Sequence, residues 1–307
     1  MKKIISIASF MLVGLLLHVG IDLAVCADFS NMSTTELNNA LISAVEKNKP
    51  ETVQELVRAG ANVNKEIKIT GTHGSGEGGM DYMTIYTLLE YAAIYGYVAI
   101  VKELIKAGAV IYADHPYYSS YGEAALIGAS TKGHVDVVKE LIKAGADVNH
   151  ADRGDAALIK ASRKGHVDVV RELIKAGAYV NLTNKDGDTA LMCAIKNHHF
   201  DVVQSILQSS EFHTGIWQRI KDLFSDSGIK SINYADKNGN TALMLAVQYA
   251  HFSYIKGNDA QYKRCVDSQR ILNALLQTKG VDLLHVNNKG ETVKTLLNEF
   301  EKNISNC

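Results

Sequence analysis

Proline is nearly absent from this 307-residue chain, which has two, and cysteine and tryptophan are scarce, at four and one. So little proline beside 47% apolar residues excludes a disordered chain and leaves ample material for a folded core. Four cysteines do not make a disulfide scaffold. Cys193 falls in an apolar helical stretch and reads as a small buried hydrophobe; Cys265 and Cys307 have the chemistry to pair in an oxidising compartment, but nothing in the sequence brings them together. Charge of one sign is lacking too. The formal net charge is −1 and no Lys/Arg run is dense, which excludes non-specific nucleic-acid binding. Catalytic signatures are missing: there is no G-x-S-x-G elbow, no activating cysteine motif and no paired carboxylates. Gly74-Ser75-Gly76-Glu77-Gly78-Gly79 fits G-x-G-x-x-G, but no strand–turn–helix context surrounds it and no P-loop Lys-Ser/Thr follows. His198 and His199 are adjacent, so on a helix they point to different sides and cannot share an ion. No catalytic, cofactor-binding or metal-ligating residue is assigned.

What is there is repetition. Gly133 to Asn149 reads GHVDVVKELIKAGADVN, and 32 residues later Gly165 to Asn181 reads GHVDVVRELIKAGAYVN. Only Lys139/Arg171 and Asp147/Tyr179 differ, and a near-copy at this spacing marks a stacked array. Val135, Val138, Leu141 and Ile142 at helical spacing, opposed by Asp136, Lys139, Glu140 and Lys143, predict an amphipathic helix of about three turns. Gly145 ends it, since glycine takes the left-handed shape without a Cβ clash. Upstream, Ala124 to Ser130 predicts a second, more apolar helix, joined through the Gly133-His134 turn, whose histidine, like His166, is expected to brace the turn by hydrogen bonds. One such pair cannot bury its own apolar face, so neighbouring pairs must cover it.

This unit resembles the ankyrin repeat. Asp186 to Ala194 (DGDTALMCA) and Asn238 to Ala246 (NGNTALMLA) match the start of that pattern, and Gly60 to Asn64 (GANVN) and Gly145 to Asn149 (GADVN) match its end. The family's proline is replaced by Ala40, Leu88, Ala125, Ala157, Ala190 and Ala242. The resemblance implies an all-α solenoid of stacked helix-turn-helix units with short β-hairpin loops, and a concave face of loop tips and inner helices suited to gripping a protein.

Residues 1–27 read as a bacterial secretory signal peptide: Met1-Lys2-Lys3, an apolar stretch from Ile4 to Leu17 that is short for a membrane span, and small residues up to Ala27. Leu23-Ala24-Val25-Cys26 also resembles a lipoprotein box, which would leave Cys26 lipid-anchored. The array then covers 33–300, with repeats at about 35–64, 83–116, 119–152, 153–184, 185–209 and 236–286, a half-repeat at 289–300 and a polar tail at 301–307. Insertions fall at 65–82, 210–228 and 255–268. The first is glycine-rich and reads as a mobile finger; the second carries Ile216, Trp217, Ile220, Leu223 and Phe224 on one apolar face; the third is expected to lengthen a helix or loop.

Nine of the 14 tyrosines lie between Tyr82 and Tyr121, and tyrosine supplies a large, stiff contact area. Within that run Tyr91 and Tyr97 have the simpler alternative of filling gaps between repeats. The protein-binding candidates are Tyr112, Tyr117, Tyr118 and Tyr121 from this cluster, Lys160 and Tyr179 as breaks in the near-copy, and Trp217. The expected function is a non-enzymatic, monomeric scaffold for an unidentified protein partner, host or periplasmic, without nucleic acid, cofactor or membrane span after leader removal. The alternatives are a periplasmic maintenance or chaperone-like protein that protects an enzyme, and an enzyme with its site in the insertions.

Overall fold

The computed structural model describes residues 29–73, 80–111, 125–152, 154–209, 232–252, 259–278 and 281–305. The signal-peptide reading, the second insertion with Trp217, and Tyr112, Tyr117, Tyr118 and Tyr121 lie outside the described residues. The chain divides into two compact units, Met1–Ala125 and Leu126–Cys307.

In the first unit, α1 (Thr34–Glu46) and α2 (Pro50–Arg58) form one helix pair, and α3 (Leu88–Ile94) and α4 (Val98–Lys106) the next. The α1 start is a capping box: Ser33 Oγ accepts from Glu36 N at 3.3 Å while Ser33 N donates to Glu36 Oε2 at 2.7 Å. Thr87 and Glu90 repeat the device at α3, so two otherwise orphaned donors are satisfied at each start. Pro50 opens α2, where its missing N–H costs nothing. Inner α1 packs on α3 and outer α2 on α4. Leu41, Leu56, Leu88, Ile100 and Leu104 are fully buried between them, each contributing about 1.5–3 kcal/mol of apolar burial.

The insertion between these pairs, read in the sequence as a mobile finger, carries regular structure. It is a β-hairpin, with β1 (Glu66–His73) antiparallel to β2 (Met80–Thr87) in register from Glu66↔Thr87 to His73↔Met80. Its flanks are rich in strand formers (Ile67, Ile69, Thr70, Tyr82, Ile85, Tyr86), and the glycines that suggested mobility fall mostly between the strands. Strand β2 runs straight into the Thr87 cap of α3.

The second unit stacks α5 (Ala125–Lys132), α7 (Ala157–Lys164), α9 (Ala190–Lys196), α11 (Ala242–Phe252) and α13 (Val293–Ser305) with the outer helices α6 (Val135–Lys143), α8 (Val167–Lys175), α10 (Phe200–Leu207) and α12 (Asp259–Gln277). Inner helices pack in the order α7-α9-α11-α13 and outer helices in the order α6-α8-α10-α12. A short hairpin, β3 (Ala151–Asp152) with β4 (Asp155–Ala156), and the bridges Thr183↔Thr189 and Ala235↔Thr241 close the turns between repeats. The third insertion is helical from Asp259 and forms the first half of α12. Helix α13 continues to Ser305, so most of the expected polar tail is its last turn.

Inner helices α9 and α11 start with threonine caps: Thr189 Oγ1 accepts from Met192 N at 3.3 Å and Thr241 Oγ1 from Met244 N at 3.4 Å. Helix α7 has Ala156 there, in nearly the same backbone conformation (φ −80°, ψ 162° against −78°, 169° at Thr189) and with no side-chain bond. Ala156→Thr is therefore expected to stabilise the array by about 1 kcal/mol. A denaturation midpoint that fails to rise would show that the site cannot seat the cap.

Candidate functional site

A repeat surface is useful for binding only if its units hold register, and histidines at the turns do much of this. His166 Nε2 donates to the Thr131 carbonyl at the end of α5, and His199 Nε2 to the Arg163 carbonyl at the end of α7, both at 3.1 Å. Each ring thus caps the preceding repeat's inner helix rather than its own turn. The glycine that follows that helix turns the chain against the ring. A Cβ on Gly165 would meet His199 Nδ1 at 2.6 Å, and φ is +79°. In repeat 5 the glycine's place is held by His198, at φ 59°, a conformation that costs a non-glycine residue on the order of 1 kcal/mol. Its Nδ1 lies 2.8 Å from Ser268 Oγ on α12, and its ring stands edge-on to Tyr249 of α11. The adjacent histidines thus serve opposite neighbours, His199 the repeat before and His198 the repeat after.

Burial, above all, pulls the His199 pKa down, and the nearby His166 adds to this. The folded pKa lies below the unfolded value of about 6.5. Its contribution to stability is present in full above that value and is lost as pH falls through the lower folded one. His199→Gln should lose this part of the acid sensitivity, so melting temperature will fall less between pH 7.5 and 5 than in the parent. Parallel curves would exclude His199 as a contributor.

The hairpin turns form a second ladder. Asn184, Asp236 and Asn287 each accept two backbone N–H groups of their own turn at 2.9–3.0 Å. Successive turns are joined by backbone bonds of 3.0 Å, Lys237 N to the Asp186 carbonyl and Asn288 N to the Asn238 carbonyl. Gly239 sits so close to the next turn that a Cβ would lie 2.9 Å from Asn288 N. Beneath the turns, Arg163 holds Asp155 with two bonds of 3.0 and 3.2 Å, and Lys196 links Asp188 (2.6 Å) to Asp236 (3.5 Å) of the following repeat.

The candidates fare differently. Tyr179 stands on the loop after α8, 57% exposed, its N–H held by Asn149 Oδ1 at 2.7 Å, which makes it a rigidly mounted surface aromatic. Lys160, on α7, is instead occupied: its ammonium lies 3.5 Å from Asp155, and its side chain is about three-quarters covered. The sequence shows that Lys160 breaks the near-copy; it does not show the carboxylate beside it. Cys193 is buried, and burial pushes its thiol up to about 11, with Arg163 pulling the other way, so it is no nucleophile at neutral pH.

The most developed aromatic surface is in the first unit. Tyr95 is 51% exposed and lies against Tyr91, with centroids 4.4 Å apart, and against Tyr97, at 5.9 Å. Tyr91 is buried, and desolvation together with its tyrosine neighbours raises its pKa to about 12. Its location fits the gap-filling alternative, but it also braces Tyr95. Tyr95 belongs to the tyrosine-rich run, yet spacing alone does not single it out: the clue is its place as the C-cap of an inner helix, next to Gly96. Among the described residues no three His, Cys, Asp or Glu side chains gather to hold a metal ion.

Comparison with known proteins agrees with this architecture. A family model described as ankyrin repeats (3 copies) matches residues 77–152 and 126–216, and one described as ankyrin repeat matches 36–68. No curated protein matches the chain. The matched segments span more than half of the sequence and coincide with the stacked helix pairs, so this chain belongs to the ankyrin repeat family, whose repeats make it a scaffold for protein–protein interaction.

Proposed function

We propose that this chain is a non-enzymatic scaffold, exported from a bacterial cytoplasm, that holds one protein partner through its inner helices and hairpin tips. The observation that carries this reading is the Tyr95 stack. A half-exposed aromatic braced by two others offers contact area with little rotamer entropy left to lose. Tyr179 offers a second exposed aromatic, on the loop after α8. Export rests on the leader-like residues 1–27, with lipid anchoring through Cys26 as the variant form. No helix among the described residues is long and apolar enough to cross a membrane.

The test is cross-linking capture with the chain lacking residues 1–27, followed by affinity measurement on the protein captured. Tyr95→Ala should weaken that affinity about tenfold or more, as expected for a central aromatic anchor, with an unchanged melting temperature. Unaltered affinity would move the contact elsewhere and remove the main support for this reading.

A further inference from the structure

A stacked array needs a polar cover at each end, because every internal unit is covered by the next. The N-terminal end has one: the exposed residues of α1 and α2 include Thr34, Thr35, Asn39, Glu46, Glu51 and Arg58, and no large apolar side chain. Among the described residues, the C-terminal end has such a cover over its inner layer alone. Helix α13 packs on α11 and so covers the inner layer, while α12, the last outer helix, has no outer-layer neighbour after it among the described residues. Leu276 in its last turn is exposed, and so are Leu283, Leu284 and Val286 in the segment that follows, Leu284 at 85%.

These exposures are not those of a loose loop. Asp282 N donates to Asn233 Oδ1 at 2.8 Å, Leu284 N to Asp282 Oδ1 at 2.9 Å, and His285 Nε2 to the Gly239 carbonyl at 2.9 Å. Leu283 takes the place that Val148, Val180 and Ile232 hold in earlier repeats, where the next repeat leaves them only 8%, 5% and 3% exposed. Leu284 stands where Asn149 and Asn233 stand, and those asparagines accept a backbone N–H of the following repeat. The end of the array therefore keeps the apolar half of the inter-repeat contact. It has exchanged the hydrogen-bond acceptor that would receive another repeat for one more aliphatic side chain.

We propose that this end is a self-association surface, at which two copies of the chain pair C-terminal end to C-terminal end about a twofold axis. The surface continues an interface that elsewhere in the array is filled by the chain's own repeats, and its exposed side chains are mainly aliphatic, with the carboxylate of exposed Asp282 taken up by Leu284 N. Head-to-tail stacking would set these leucines against Thr34, Thr35 and Glu51 and bury polar groups without partners. End-to-end pairing sets like against like and closes at two copies. The sequence alone suggests a monomer because it cannot show that, among the described residues, no outer helix follows α12.

Sedimentation of the full chain over a range of concentrations tests this. A reversible species of twice the chain mass is expected, and Leu283→Asp with Leu284→Asp should remove it while leaving the far-ultraviolet spectrum and melting temperature in place. A wild-type chain that stays monomeric, or a dimer that survives both substitutions, overturns the proposal. Should the double variant misfold, a photo-reactive phenylalanine analogue at position 284 decides. In a mixture of isotope-labelled and unlabelled chains it should cross-link to residues 276–286 of another copy, and cross-links confined to its own chain overturn the proposal. This surface and the Tyr95 stack lie in different units, so either can fail without the other.

Discussion

Leu141→Ala will lower the stability of the array by about 2–5 kcal/mol, the loss expected for truncating a fully buried leucine. Leu141 sits on α6 beside Val137 and Val138, and α6 packs on α8, whose Val169, Val170 and Leu173 are also fully buried. The truncation removes apolar contact and leaves a cavity between two units that depend on each other for cover. Ile142, one residue on, is only partly buried, and Ile142→Ala should cost clearly less. Denaturant unfolding of both variants measures the difference. A changed slope would mean that the array has split into separately melting segments, as repeat proteins can do. A loss below about 0.5 kcal/mol at Leu141, the scale of a surface substitution, would mean that α6 is not packed as described.

Lys196→Met will cost about 3 kcal/mol. The side chains of Asp188 and Asp236 are 8% and 2% exposed, and the Lys196 ammonium lies 2.6 and 3.5 Å from them. Burial pulls the Lys196 pKa down, but its hydrogen bond to Asp188 and the charges of Asp188 and Asp236 outweigh this and hold it above the ordinary lysine value. Methionine keeps much of the apolar stem and deletes the charge, leaving two buried carboxylates without a cation, Asp236 keeping the two backbone N–H groups of its turn. Breaking a buried pair from one side typically costs 3–5 kcal/mol, and the low end applies because Lys196 itself is 23% exposed. The pair Asp188→Asn with Lys196→Met should recover part of the loss. If the double variant is as damaged as the sum of the singles, the two residues are not coupled.

Much of this architecture is legible in the chain. The near-copies at Gly133 and Gly165 and the Thr-Ala-Leu starts at Thr189 and Thr241 locate helices, turns and repeat spacing, because each depends on residues within one unit. The first insertion is less legible, because its glycines point to a mobile finger while its strands exist through the pairing of Glu66–His73 with Met80–Thr87. Lys160 stands out as a departure from the repeat, but its pairing with Asp155 depends on rotamers and on the fold of the turn. Tyr179 is as exposed as a loop-tip aromatic should be, and Tyr95 gains its importance from two neighbours that the sequence does not rank.

By itself the sequence determined that this is a row of helix pairs, because helix periodicity, caps and left-handed turns are local and recur every 32 or so residues. Only the tertiary structure decided how each pair is tied to the next. His199 reaches back to Arg163 and His198 forward to Ser268, and Lys196 spans two repeats. It also decided which faces stay open, Tyr95 in one unit and Leu283 with Leu284 in the other. Burial is a property of neighbours, and a one-dimensional pattern names the residues that want cover without saying which of them receive it.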